Sequence, residues 1–364
     1  MTQELIESVK GFILNDIDLS KSLSFQPNKF WESLASSGSE IWLDTGDMDE
    51  ASKLWCKEMS ALTTNNTLLN KEIQKGIYDE LISEANHFLS HMDEQERIVE
   101  IAFILNARHG LKLAEKFGGK VSVELHTDMA NDIEKTVSYA ERFFDICPEH
   151  FIIKIPLTPA GYIATRKVRE KGIPVNFTLN FSARQNLIAT IFSKPSYVNV
   201  FLGRQNALVI NNHLGNGEMI GEKSTLASQR VVQEYAKQNA EPTRQIAASI
   251  RDASQIDHLA GVDVFTIPTK VADEALQKLS NDFVSRTDRD YPIHLYPNVD
   301  PKAVQIEKLW QYSEGEHNFA HRLDEEPPET ANEFVERAHE AGLHDLFPVF
   351  SAESWQIVAD DGKI

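Results

Sequence analysis

The feature that constrains the fold most is a rhythm. Between residues 40 and 284, short runs of β-branched and apolar residues alternate with helical patterns. The runs lie near 40–44, 59–63, 121–125, 151–155, 175–179, 197–201, 245–249 and 263–267. Strands alternating with helices pair in parallel, and eight such units predict a (β/α)8 TIM barrel of the α/β class. An open doubly wound sheet is the runner-up, but it usually brings a glycine-rich phosphate turn after its first strand. Residues 1–39 are expected to form a helical extension, 40–284 the barrel, and 285–364 an acidic C-terminal extension packed on it. In that extension 324–329 reads as an acidic linker, and 331–341 as a helix stopped by Gly342. Phe347, Phe350 and Trp355 give the tail apolar groups with which to dock. The gap from 64 to 119 holds several helical segments. Residues 205–225 read as a long loop broken by Gly215, Gly217 and Gly221. Within it, 215–224 faintly resembles a phosphate-binding loop, but Glu222 interrupts the Gly-Lys-Ser ending.

Composition narrows the partners. A net charge of −19 over 364 residues, with no clustered basic stripe, excludes general nucleic-acid binding. An anionic substrate would therefore need its own local arginines. No run reaches the roughly 18 apolar residues of a membrane helix, so no membrane partner is expected. The two cysteines, Cys56 and Cys147, have no pairing or metal-ligand spacing, which fits a reducing, cytoplasmic setting. Three histidines, His126, His213 and His258, lack clustered ligand spacing, so neither a metal nor another cofactor is expected.

The chemistry centres on Phe151-Ile152-Ile153-Lys154-Ile155-Pro156, a strand buried on both faces with one lysine in its middle. Burying an unpaired ammonium is costly, so such a site favours the neutral amine that a Schiff-base nucleophile needs. The other reading is that Lys154 reaches the strand end and pairs with a carboxylate. The remaining strand ends carry Asp44, Asn65, Glu124, Asn176, Thr178, Arg204, Ser249 and Arg251. In a barrel, chemistry collects at the C-terminal strand ends, and polar groups aimed into the core must be paired or functional.

These landmarks resemble the transaldolase family. They are Asp44-Thr45-Gly46-Asp47, Thr63-Thr64-Asn65, Val121-Ser122-Val123-Glu124, Ile153-Lys154-Ile155-Pro156, Asn176-Phe177-Thr178-Leu179, Phe201-Leu202-Gly203-Arg204 and Ala248-Ser249-Ile250-Arg251. The last is Leu259-Ala260-Gly261-Val262-Asp263. The resemblance runs from about residue 41 to about 276. It implies transfer of a dihydroxyacetone unit from a ketose phosphate to an aldose phosphate, the sugar chemistry of the pentose phosphate pathway. Lys154 would form the Schiff base, and Asp44 would take the proton from the hydroxyl beside the breaking bond. Glu124 and Thr178 would hold a proton-shuttling water. Asn65 and Asn176 would bind hydroxyls of the intermediate, and Arg204, Ser249 and Arg251 the phosphate. Phe201 looks like the transferase branch, since the fructose-6-phosphate aldolase branch carries tyrosine there.

Departures ring the donor end. Asn66-Thr67 replaces the usual Pro-Ser and is expected to loosen the turn that sets Asn65. Asn199 replaces a serine that touches the donor's terminal hydroxyl, and His126-Thr127 replaces an acidic and a small residue. His126 reads as a substrate ligand, a second proton carrier or a satisfied surface histidine. The alternatives are therefore a related aldolase or transaldolase on a modified sugar, or a catalytically silent barrel that binds a partner. A homodimer is compatible with all three.

Overall fold

The computed structural model describes residues 2–236, 241–351, 353, 354 and 356. Eight parallel strands close into a TIM barrel: β1 (Glu40–Asp44), β2 (Met59–Thr63), β3 (Lys120–Glu124), β4 (Phe151–Pro156), β5 (Val175–Thr178), β6 (Tyr197–Phe201), β7 (Arg244–Ala248) and β8 (Val264–Pro268). Each strand falls within about a residue of its expected place. Leu179 and Ser249, expected inside β5 and β7, instead take left-handed backbone angles, φ 70° and 61°. That conformation turns the chain out of the ladder, so both strands stop one residue earlier.

Alternation along the strands builds two cores. Outward residues such as Leu43, Val123, Ile153, Phe177 and Phe265 join the large core beneath the helices. Inward residues Trp42, Ala61, Ile152, Ile246, Ala248 and Val264 form a smaller core inside the barrel. Register then sets the site. Glu124 pairs with Lys154, and Lys154 with Asn176, across β3, β4 and β5. Residues in register share a face, so these three project into the barrel at one level.

Helices Gln3–Leu14 and Lys29–Ser36 precede the barrel, and helices Asn66–Ile73, Asp79–Phe88 and Glu94–Phe117 fill the long gap after β2. The 205–225 stretch is not one loop. Helix Leu202–Asn211 occupies its first half, and helix Ile220–Ala236 begins before its end. Glu222 is buried and accepts from Gln255 Nε2 at 2.8 Å and Asn206 Nδ2 at 3.2 Å, so the phosphate-loop resemblance has no structural counterpart.

The acidic 324–329 stretch is likewise not all linker. Asp324 and Glu325 end helix Glu314–Glu325, where Asp324 pairs with Arg166 and, at 2.8 Å, with Lys194. Helix Ala331–Glu340 follows, and Gly342 beyond it adopts φ 79°, the left-handed conformation that ends many helices. Arg184 bonds Glu316 and, at 2.8 Å, Asp345, while Tyr162 contacts the rings of Phe334 and Phe347. Phe347 is buried and Phe350 exposed; Trp355 lies outside the described residues. Both cysteines are free and buried, and burial pushes the Cys56 thiol up to about 12, which leaves it inert. Among the described residues, no helix is long and apolar enough to cross a membrane.

Candidate active site

Lys154 is 6% exposed, and its Nζ lies 3.3 Å from Glu124 Oε1 and donates to the Thr64 carbonyl at 3.2 Å. Pairing with a carboxylate was one reading of this lysine; here the partner is itself a site candidate. Next to it, Thr178 is buried and its hydroxyl finds no partner among the described residues. A buried hydroxyl with unused capacity is an exception to ordinary packing, and it faces the cavity beside the lysine.

Asn176 and Asn199 are wired together. Asn176 Nδ2 donates to Ser122 Oγ at 3.0 Å, and Asn199 Nδ2 donates to Asn176 Oδ1 at 3.1 Å. Asn65 uses its Oδ1 to cap helix Asn66–Ile73, accepting from Leu68 N at 2.8 Å, which leaves its amide nitrogen for a ligand. Asp44 sits at the mouth on β1. Burial raises the affinity of its carboxyl for a proton, the Lys154 charge pulls the other way, Glu124 adds repulsion, and Arg251 offsets part of it. Such a group is suited to take a proton and hold it.

The opposite wall is cationic. Arg204 lies over the Phe201 ring, 5.1 Å from its centroid. The chain leaves β7 through Ser249 in its left-handed conformation and presents an exposed Arg251, whose main-chain N–H donates to Gln255 Oε1 at 2.7 Å. Gly203 allows the two arginine segments to meet. A Cβ there would lie 2.2 Å from the Ser249 carbonyl oxygen and 2.5 Å from Arg251 Cγ.

These groups surround one cavity of about 210 Å³, and every candidate residue lines it except Glu124, which adjoins it through Lys154. The volume suits a small polar molecule. The arrangement offers an amine, two carboxylates, hydrogen-bonding amides and paired guanidinium groups to one ligand. His126 is not part of it. Its Nδ1 accepts from Asp128 N at 3.3 Å and caps a short helical turn, and it borders a separate void of about 10 Å³ behind Glu124.

Residues 41–339 match the family described as Transaldolase/Fructose-6-phosphate aldolase. The chain belongs to this family. It is 31% identical to a transaldolase of Xanthomonas euvesicatoria over 63% of this chain and 72% of that one. A transaldolase of Xanthomonas campestris is 30% identical over 73% and 81% of the two chains. One from Prochlorococcus marinus is 28% identical over 80% and 91%. The family match continues past the barrel into helix Ala331–Glu340, well beyond residue 276, where the resemblance was expected to end.

Within this transaldolase-family barrel, several residues of the site went unnoticed in the sequence. The Thr64 carbonyl, Ser122 and Asn106 each hold a candidate group in place. Ser122, between Val121 and Val123 on an inward position, carried a usable signal, as did Thr63 and Thr266, which bond each other at 3.0 Å across β2 and β8. Asn106 carried none, because it lies inside helix Glu94–Phe117, far from any motif. Asn66 does not loosen its turn: its side chain donates to the Leu125 carbonyl at 3.1 Å and its main-chain N–H to Glu124 Oε2 at 2.9 Å.

Proposed function

We propose that the protein is a transaldolase that moves a dihydroxyacetone unit from a ketose phosphate to an aldose phosphate through a Schiff base on Lys154. The observation that carries this reading is the Lys154–Glu124 pair at 3.3 Å, buried beside the unpartnered Thr178 hydroxyl in a cavity rimmed by Arg204 and Arg251. Glu124 gives the lysine an adjacent proton acceptor, so the amine can attack the ketose carbonyl. Glu124 and Thr178, holding a water between them, return protons as the carbinolamine loses water to the protonated imine. Asp44 then takes the proton from the hydroxyl beside the scissile carbon–carbon bond. That bond breaks, the aldose phosphate leaves, and the electron pair is held by the iminium. Attack on an acceptor aldehyde, with Asp44 returning its proton, followed by hydrolysis of the imine, completes transfer. Asn65, Asn176 and Asn199 orient the hydroxyls, and Arg204, Ser249 and Arg251 take the phosphate. No cofactor is called for, since the lysine supplies the electron sink.

Phe201 at the cavity wall favours transfer over release of free dihydroxyacetone, because it offers no hydroxyl to place a hydrolytic water. A second reading, a modified sugar as donor, is favoured by Asn199, whose bond to Asn176 occupies a donor-side acceptor. Borohydride reduction with fructose 6-phosphate, followed by intact-mass and peptide analysis, tests both. The expected product is a dihydroxyacetone-sized adduct on Lys154. An adduct only with another ketose moves the substrate, and no adduct with any ketose favours the silent binding barrel.

A further inference from the structure

Glu222 is a buried carboxylate whose side chain is held by amides. It lies in the first turn of helix Ile220–Ala236 and is 3% exposed. Its Oε1 accepts from Gln255 Nε2 at 2.8 Å, and its Oε2 from Asn206 Nδ2 at 3.2 Å. Among the described residues it forms no ion pair, and the adjacent Lys223 pairs with Asp290 instead. Burying a charge without a counter-charge is costly, so its presence calls for a reason. Both amides lead to the cationic wall of the cavity. Gln255 Oε1 accepts from the main-chain N–H of Arg251 at 2.7 Å. Asn206 follows Arg204 in helix Leu202–Asn211, and its Oδ1 accepts from the main-chain N–H of Gly221 at 2.8 Å. A carboxylate can only accept. It therefore turns both amide nitrogens toward itself and both amide oxygens outward, onto the main-chain N–H groups they hold.

We infer that Glu222 is a positioning residue for phosphate recognition: it fastens the segment carrying Arg204 to the segment carrying Arg251. The inference rests on the reading above that gives Arg204, Ser249 and Arg251 the substrate phosphate. Ser249 turns the chain with φ 61°, a conformation that serine keeps only where its surroundings hold it, and the tie at Arg251 supplies such a hold. Glu222 does not line the cavity, so it acts through its amide partners rather than on the ligand. The sign of its effect separates position from charge. As a nearby negative charge it weakens phosphate binding, so neutralising it would by itself tighten binding. As a fastening, its loss loosens the clamp.

Glu222→Gln distinguishes the two. An amide at 222 offers one oxygen, so Gln255 or Asn206 loses its acceptor there, and turning that amide around deprives the Arg251 or Gly221 N–H instead. In the full-length protein the KM for fructose 6-phosphate should rise about five- to tenfold, the size expected for one lost hydrogen bond, with kcat within about twofold. Half-saturation of borohydride trapping by dihydroxyacetone, which has no phosphate, should stay within about twofold of the parent. The double variant Glu222→Gln/Gln255→Glu moves the carboxylate to position 255. There it accepts from the Arg251 N–H and from the amide at 222, whose oxygen still accepts from Asn206. Every bond is restored, so most of the lost affinity should return. An unchanged or lowered KM, an equal loss for dihydroxyacetone, or a double variant no better than Glu222→Gln overturns the inference. If Glu222→Gln folds poorly, Gln255→Ala leaves room for water beside the carboxylate, removes the Arg251 acceptor and carries the same expectation. A titration with inorganic phosphate, followed at the Arg251 amide resonance, keeps this separate from the Schiff-base reading. Phosphate binding that weakens in Glu222→Gln and recovers in the double variant, in a protein that traps no ketose, sinks the Schiff base and leaves Glu222 its role. Equal phosphate binding by all three proteins, with ketose still trapped on Lys154, does the reverse.

Discussion

Strand β1 carries a carboxylate at each end, and the two behave oppositely. Glu40, at the N-terminal end, accepts from Trp42 Nε1 at 2.7 Å and Ser60 Oγ at 2.6 Å and pairs with Arg244. Burial alone would raise its pKa, but the Ser60 bond and the Arg244 charge overcome that and leave it below the usual carboxylate range. Asp44, at the other end of the same strand, is raised instead, because burial outweighs its cationic neighbours. One end of the barrel is closed by charges that satisfy one another. The other holds charges whose remaining capacity faces a cavity. A larger hollow, about 560 Å³ near the N-terminal ends of β2 to β4, is lined differently: Trp55 and Phe117 stand in its walls, Lys21 pairs with Glu115 at 3.3 Å, and His150 Nδ1 bonds the Gly119 carbonyl at 2.8 Å. The candidate site is thus distinguished by its polar capacity rather than by its size.

The largest effect expected from breaking this contrast is at Lys154. Lys154→Met should lower turnover by at least about 10³-fold, since among the described residues no other amine lines the cavity to replace the covalent step. Circular dichroism should show the fold retained, because the methionine fills a similar volume within an apolar strand. Residual turnover near the parent rate would sink the imine mechanism.

Next in size is the cationic wall. Arg251→Ala should raise KM for phosphorylated ketoses by about tenfold, the loss of about 1.4 kcal/mol of charge-assisted binding, while leaving unphosphorylated ketoses unaffected. Equal losses for both substrate types would place the guanidinium elsewhere than on the phosphate.

How much of this was legible beforehand follows from where each signal resides. Register and alternation are written into the strands, so Asp44, Lys154, Asn176 and Thr178 could be placed at one end of the barrel from spacing alone. The turns were harder. Leu179 and Ser249 leave their strands in left-handed conformations that no glycine announces. The 205–225 stretch reads as a loop because of its glycines, yet Gly221 is there for close packing: a Cβ on it would lie 2.3 Å from the Leu202 carbonyl oxygen. Asn66 and Asn106 were illegible for another reason. Their partners are main-chain atoms and a carboxylate tens of residues away, and no local pattern encodes a contact across three elements.

At the N-terminal end, Arg244→Met should destabilise the protein by about 2 kcal/mol at neutral pH while leaving kcat unchanged, because it strands the Glu40 carboxylate in a partly buried site. Glu40 is depressed in the folded state, so the stability it confers is present above its unfolded value, about 4.3, and fades as pH falls. The difference between parent and variant, read from urea midpoints, should therefore shrink in acid. A constant difference from pH 7 to pH 3 would mean that Arg244 contributes through packing rather than charge.

Asp44→Asn reverses that sign and gives the smallest change in stability. Asp44 is raised in the folded state, so its favourable contribution is complete below its unfolded value, about 3.9, and is lost as pH rises through the folded one. At neutral pH the parent bears a burial penalty that an uncharged amide of the same shape does not. The variant should accordingly melt about 1–2 °C higher at pH 7, with the gain vanishing near pH 4. Turnover should fall at the same time, since an amide cannot take the hydroxyl proton on which carbon–carbon cleavage depends. Stability and activity moving in opposite directions at Asp44, while Arg244→Met costs stability alone, would separate the two ends of β1 by what each carboxylate is for. A variant that melts lower at pH 7 would show that the Lys154 charge, not burial, dominates Asp44, and would make it a structural partner of the lysine rather than a base held in reserve.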